Sequence, residues 1–478
     1  MRKNLKSELM FFAFCVLFCS AVFADVKMPS IFASKMVLQR DMKIPVWGEA
    51  APSEKITIDF ADKKWTVIAD EKGAWSVKLD PMSAGGPYKM TVKGKNTLVF
   101  EDILIGDVWI CSGQSNMGFT LKRAKNAEEE IKNSDLPNVR LMTVSCTGDT
   151  APQKDVRVNS WALCGPKTSP NFTAVGYFFG KNLYQDLKIP IGLINVSWGG
   201  ATCEAFVNPK LLAEVPELAP LIEPARLQSI KKTQYKAGYL YNGMICPIKG
   251  YAIRGAIWYQ GESNASRAFQ HDLLFPIMVQ NWREEWGQGD FPFYFVQLAN
   301  YQKVSDQPAE SSWAEIRESQ DRALSSVRNS GQAVIIDIGE ANDIHPTNKQ
   351  DVGFRLAAIA LAKEYGKKVV YSGPRIRSMK IVDNKAILSF DHVEGGLMIK
   401  GDGPLKGFAV AGADRKFVWA DAKIEGDTVV VSAKSVAAPV AVRYAWGSNP
   451  ICNLFNKDGF PAAPFRTDHW PTITHKNR

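Results

Sequence analysis

Four short segments of this 478-residue chain carry residue types that together suit nucleophilic catalysis at a carbonyl group. In the first, DVWICSGQSNM, Ser115 stands where an apolar run ends, which predicts a strand-to-helix turn. A serine there can point its hydroxyl into a cleft while the first helical amides face developing negative charge. Taken alone, a serine after Gly-Gln is as readily a helix cap. In the second, INVSWGGATCEAF, Gly199 and Gly200 let the backbone approach a ligand, so that one N–H could enter an oxyanion hole. A plain tight turn has the same composition. In the third, IWYQGESNA, Gln260, Glu262 and Asn264 follow a buried-strand pattern. An amide from Gln260 or Asn264 could donate to an oxyanion, and a capping role fits these residues as well. In the fourth, VIIDIGEANDIHPTNKQDVGFRLA, His345 has Asp343 two positions before it. An acid that near can orient the imidazole through one nitrogen and leave the other to accept the serine proton. The remaining histidines, His271, His392, His469 and His475, lack a comparable setting. Each signal is weak alone; four of them, in order and each at a strand end, reinforce one another.

The elements that must hold these residues follow from pattern. Residues 25–105 read as short alternating strands (KIPVWGEA, KITIDF, KWTVIAD, AWSVKLD, YKMTVKG) between Gly/Pro/Asp-rich turns, a small antiparallel sandwich. From 106 to 368, apolar strand runs such as VRLMTV, FPFYFVQLA and QAVIIDIG alternate with helical stretches such as AVGYFFGKNLYQDL and VGFRLAAIALAKEY. That alternation predicts a parallel sheet flanked by helices, an α/β class. Strand signals return over 369–478, a second β-rich region. Tryptophans exposed in the flanking regions, among Trp47, Trp65, Trp75, Trp419 and Trp446, would favour glycan binding there; core packing is the expected role for most.

Composition narrows the class. Hydrophobic residues make up 46% and charged residues 22%, a globular balance. The formal charge is +9, and its lysines are scattered, which gives solvated faces and no nucleic-acid footprint. Arg2, Lys3 and Lys6 precede the apolar run LMFFAFCVLFCSAVFA, which ends at Val22-Phe23-Ala24 before Asp25. This is the form of a secretory leader over residues 1–24, so the expected location is periplasmic or secreted, with no membrane span after its removal. Six cysteines follow Ala24, and no CxxC pair gives zinc spacing; disulfides and free buried thiols fit equally. No metal or other cofactor is expected.

The segments GQSNM, WGGATCEAF, WYQGESNA and DIHPTNKQDVGFRLA resemble the motif blocks of bacterial sialate O-acetylesterases, within the wider SGNH (GDSL-like) hydrolases. The likeness extends to YNGMICPIKGYAIRGAIWYQGESN and to VRYAWGSNP, and so covers most of the chain beyond the leader. There is no GxSxG elbow, since Met117 fills its last position. The resemblance implies a flavodoxin-like three-layer core with β-rich accessory regions and metal-free removal of O-acetyl groups from an acetylated sugar or glycan. Carried over by position, it makes Ser115 the nucleophile and His345 the general base. The Ser115 and Gly200 N–H groups would form the oxyanion hole with a side-chain amide from Gln260 or Asn264. The class usually places its acid three residues before the histidine, which here is Asn342. Asp343, the nearest carboxylate, differs from that spacing by one and is placed ahead of Glu262, the glutamate that can serve as helper acid in related acetylxylan esterases. The implied substrate is acetylated sialic acid; an acetylated xylan or other polysaccharide is the alternative, and a catalytically silent carbohydrate-binding protein the rival from another class.

Overall fold

The structure, a computed structural model, describes residues 25–477; the expected leader over 1–24 lies outside the described residues. Its central sheet is built from seven strands: β1 (Thr97–Gly113), β2 (Leu136–Thr143), β3 (Ala162–Cys164), β4 (Ile191–Ser197), β5 (Gly255–Tyr259), β6 (Phe293–Val296) and β7 (Ser330–Ala333). Their spatial order is β7-β6-β5-β1-β4-β2-β3. All neighbours run parallel except β3, which caps one edge antiparallel to β2. Strands buried on both faces alternate between two cores. Val108 and Ile110 of β1, Trp258 of β5 and Phe293 of β6 look one way; Trp109, Cys111, Ile257 and Tyr294 look the other.

Four helices cover these faces: α1 (Ala174–Leu187), α2 (Ala268–Trp286), α3 (Ser312–Ser326) and α4 (Lys349–Lys363). Helices α1 and α4 pack together with the Trp109 face, whereas α2 lays Phe275, Met278 and Trp282 on the Trp258 face. Local chemistry sets where they begin. Thr173 caps α1 by accepting from Gly176 N, Ser311 caps α3 from Ala314 N, and Asn348 caps α4 from Asp351 N, each cap worth about 1 kcal/mol. The sequence pattern locates α1 and α4; α2 is interrupted by Pro276, and α3 is largely polar, with Trp313, Ile316 and Ala323 on its buried side.

The expected strand QAVIIDIG is shorter than its apolar run. Ladder pairing stops at Ala333, and Val334 and Ile336 instead enter a separate core beneath the C-terminal region. The Val334 carbonyl accepts from the Arg355 side chain at 2.7 Å.

At 17 residues, β1 is the longest strand described. Its first half pairs antiparallel with Gly85–Lys93 and parallel with Val37–Gln39, and its second half runs between β4 and β5. The N-terminal strands and the α/β sheet are thus joined through one strand that crosses residues 105 and 106. Beyond residue 369, two four-stranded and one two-stranded antiparallel sheets enclose the third core, lined by Leu388, Phe390, Val410, Val431 and Tyr444. Cys111, Cys146, Cys164, Cys203, Cys246 and Cys452 are all free thiols. Among the described residues no helix is long and apolar enough to cross a membrane.

Candidate active site

In a parallel sheet, loops at the strand C-termini gather around one crevice. Ser115 follows β1, Gly200 follows β4, Gln260 to Asn264 follow β5, and His345 comes from the segment after β7. Gly113, the last residue of β1, has φ +132°, and a Cβ there would lie 2.2 Å from the Tyr259 carbonyl oxygen. Only glycine fits, and the chain turns sharply enough to lift Ser115 off the sheet. The helix expected after Ser115 is absent. A single turn closes with Gly118 N–H donating to Gln114 O at 3.0 Å, and a three-residue helical turn at Leu121–Arg123 follows. Glycine at 118 and the return of the chain to Phe119 and Leu121, both buried, end the turn before a helix propagates.

Ser115 Oγ lies 2.8 Å from His345 Nε2. On the other side of the imidazole, Asp343 Oδ1 is 3.5 Å from Nδ1 and also accepts the His345 backbone N–H at 2.8 Å. Asp343 is half-exposed. Burial lowers the His345 pKa below its ordinary value, with Lys349 and Arg123 adding to the effect and Asp343 opposing it. The ring is therefore neutral at neutral pH, the state in which one nitrogen can accept a proton. Phe119 stacks on the ring at 6.5 Å between centroids and carries the Arg123 guanidinium on its face.

Glu262 does not reach the histidine. It is buried, and its Oε1 accepts from Asn116 Nδ2 at 2.6 Å. Asn116 donates also to Ile344 O at 2.9 Å, and its own Oδ1 accepts from Lys349 Nζ at 2.5 Å. Burial raises the Glu262 pKa and lowers that of Lys349 to about 7, so neither group carries its charge freely. Between the two candidate acids, the geometry favours Asp343. Glu262 supports the backbone beside His345 through Asn116.

Of the two amides expected as oxyanion donors, Gln260 is fully engaged and Asn264 is engaged through one of its two hydrogens. Gln260 Nε2 donates to Ala201 O at 3.2 Å and to Asn264 Oδ1 at 2.7 Å. Asn264 Nδ2 donates to Glu204 Oε2 at 2.9 Å, and its Oδ1 receives Cys203 N–H at 3.0 Å. Glu204 is buried, and burial is outweighed by Arg267 and Asn264, which hold its carboxyl below the usual range. Gln260 and Asn264 thus brace the loop that carries Gly200; Gln260 Nε2 gives both its hydrogens to these partners, whereas Asn264 Nδ2 gives one and keeps the other.

The backbone donors are free. Neither Ser115 N–H nor Gly200 N–H is given to any group among the described residues. Gly200 has φ +77°, a left-handed conformation that a Cβ would strain, and Gly199 passes close enough that its Cβ would contact that of Ser115 at 3.6 Å. Ser263 Oγ holds the Gly200 carbonyl at 2.7 Å. Gln114, absent from the expected site, is held by its Oε1, which accepts from Gly261 N at 3.4 Å and Ser263 N at 3.3 Å. Its Nε2 is unengaged. The sequence signal for Asn116 and Lys349 lay in the motifs themselves, GQSNM and PTNKQD, where they read as flanking polar residues.

The arrangement can take a proton from a serine hydroxyl and donate hydrogen bonds to a nearby anionic oxygen. Comparison with known proteins points the same way. The family of carbohydrate esterases described as sialic acid-specific acetylesterases matches residues 105–361, which hold every residue discussed above. Sialate O-acetylesterases of Pongo abelii and Mus musculus are 30% and 31% identical to this chain, over 91% and 90% of its length and 91% and 92% of theirs. A carbohydrate acetylesterase from Xanthomonas citri superposes with a TM-score of 0.87 at 40% identity, covering 93% of this chain and all of that one. The chain is an esterase with an SGNH-type fold, and it belongs to the sialic acid-specific acetylesterase family of carbohydrate esterases.

Proposed function

We propose that this enzyme removes O-acetyl groups from sialic acid through an acetyl-enzyme formed on Ser115. The observation that carries the mechanism is the 2.8 Å contact between Ser115 Oγ and His345 Nε2 beside two unspent backbone N–H groups. In the first half-reaction, Ser115 Oγ bonds to the acetyl carbonyl carbon as its proton passes to His345 Nε2. The carbonyl oxygen becomes an anion held by the Ser115 and Gly200 N–H groups, with uncommitted amide hydrogens on Gln114 Nε2 and Asn264 Nδ2 as further donors. As the tetrahedral centre collapses, the bond to the sugar oxygen breaks and that oxygen takes the proton from the imidazolium. In the second, water gives a proton to Nε2 and its oxygen attacks the acetyl-serine; acetate leaves and Ser115 regains its proton. Asp343, facing Nδ1, orients the ring and stabilises the imidazolium.

The choice of sialate rests on the mammalian relatives, which bear that name. A second reading, an acetylated xylan or another polysaccharide, draws on the higher identity to the Xanthomonas citri carbohydrate acetylesterase. A silent binding protein is disfavoured by the paired serine and histidine. The charged and apolar pattern of residues 1–24 supports export to the periplasm or medium.

Acetate release from 9-O-acetylated sialic acid and from acetylated xylan, by wild type and Ser115→Ala, tests these points together. Release from sialate, abolished in the variant, is expected. Release from xylan alone keeps the mechanism and moves the substrate, and undiminished turnover by Ser115→Ala sinks the mechanism.

A further inference from the structure

A cavity of about 630 Å³ lies between the 302–311 loop, which follows β6, and the C-terminal segments around 404–408, 419–422 and 446–451. Loops after β6 leave the same end of the parallel sheet as Ser115. The cavity wall is also tied to the segment that leads to the histidine. Gln302 N–H donates to Ala341 O at 3.0 Å, and Asn300 Oδ1 accepts Gly339 N–H at 2.7 Å. Asn449, on the opposite wall, bonds both Asn300 and the Gln302 carbonyl, at 2.7 and 2.6 Å.

Three aromatic side chains line it: Phe408, which is buried, Trp419 and Trp446. Trp419 is 43% exposed, an unusual state for so large an apolar ring, and its Nε1 donates to Asp306 O at 2.9 Å, which fixes the ring plane. Trp446 is held by Arg443 and Arg466 against its faces. Sugar rings present apolar C–H faces and a rim of hydroxyls, so they suit a fixed aromatic face edged by polar groups. The charged side chains at this cavity are of both signs: Lys303 and Lys406 against Asp306, Glu310 and Asp421. Glu310 is already paired with Arg443 at 2.7 Å. A carboxylate or phosphate ligand would need an excess of cationic donors, which is missing, whereas uncharged hydroxyls are served by either sign. A cavity of this size takes roughly two or three sugar rings.

We propose that this cavity is a subsite for the neutral sugar units attached to the acetylated residue, with Trp419 as its platform, so that the enzyme acts on oligosaccharide-borne acetyl esters ahead of free acetylated monosaccharides. This rests on the esterase reading above, and the test separates the two. Initial rates are measured on two pairs: 9-O-acetylated sialic acid free and at the end of sialyllactose, and acetylated xylose against acetylated xylohexaose. 4-Nitrophenyl acetate reports the chemistry without sugar recognition. Wild type should prefer the oligosaccharide in at least one pair. Trp419→Ala should raise its KM about tenfold, the loss of one aromatic contact, with nitrophenyl acetate and the monosaccharide unchanged. Trp419→Phe, which retains a ring, should recover most of the preference. Equal handling of both members of both pairs, an unaltered KM in a folded Trp419→Ala protein, or turnover of nitrophenyl acetate with neither sugar pair hydrolysed overturns the subsite. Full activity of Ser115→Ala on nitrophenyl acetate would overturn the Ser115 mechanism instead.

Discussion

Asn116 Nδ2 stands 2.6 Å from Glu262 Oε1 and, through the same amide, 2.9 Å from the carbonyl of Ile344. The residue beside the nucleophile therefore fastens the backbone next to the histidine, and a buried carboxylate with Lys349 holds that asparagine in place. Asn116→Ala removes the tie and leaves Glu262 and the Ile344 carbonyl unpaired. We expect kcat to fall on the order of 100-fold with KM little changed, since a small displacement of the base is enough for such a loss. Steady-state kinetics alongside a thermal melt measure it. A KM effect alone would contradict the assignment.

Glu262→Gln separates the two candidate acids. Glutamine can still accept from Asn116 through its Oε1, so the variant should keep at least roughly a tenth of wild-type kcat, because positioning and not charge is what the site draws from this residue. A loss as deep as that of His345→Ala would return Glu262 to the role of helper acid.

The pH profile follows from the depressed His345 pKa. Activity needs the neutral imidazole, so kcat/KM should rise with pH through one ionisation below the ordinary value of 6.5 and then level off. Asp343 opposes the depression. Asp343→Asn removes a charge that favours the imidazolium, so the inflection should move to still lower pH. The plateau should fall by roughly tenfold, since the acid is half-exposed and 3.5 Å from the ring. An inflection moving to higher pH in that variant would refute the assignment.

Gly200→Ala tests the oxyanion hole. A side chain at φ +77° strains the turn, and relaxation would swing the N–H away from the anion. Loss of one donor typically costs on the order of 3 kcal/mol of transition-state stabilisation, a 100-fold or greater fall in kcat. Burst-phase and steady-state rates on nitrophenyl acetate give the readout.

Arg317 is fully buried and, among the described residues, meets no carboxylate. It donates to the carbonyls of Leu298, Ala299, Gly447 and Ser448 at 2.7–2.8 Å, clamping the loop after β6 to the C-terminal region. Arg317→Met should destabilise the fold by about 3–5 kcal/mol, read as a lower denaturation midpoint, because four buried acceptors lose their donor.

What the sequence disclosed depended on the kind of property involved. Ser115 and His345 were legible because their motifs report them directly, Asp343 only as the carboxylate nearest the histidine in sequence, and α1 because its apolar positions recur at helical period. The donor amides were not. Whether Gln260 or Asn264 has a hydrogen to give depends on Ala201 and Glu204, which are distant in sequence and meet these residues only in the fold. The missing helix after Ser115 has the same cause: Phe119 and Leu121 are drawn into the core, and that tertiary pull overrides a local pattern.

The length of β1 has a consequence for how this enzyme can be divided. Its seventeen residues belong to two structures in turn, and Ser115 hangs two positions beyond its end. A protein cut at the compositional change near residue 105 would lose the first half of β1 together with its partner strands, and would keep Ser115 on the second half. An insertion of one residue within it would reverse every later side chain, exchanging Trp109 with Ile110 between opposite cores and turning the serine away. The N-terminal strands and the sheet that carries Ser115 thus share one continuous strand, so the register of the first half sets the reach of the second.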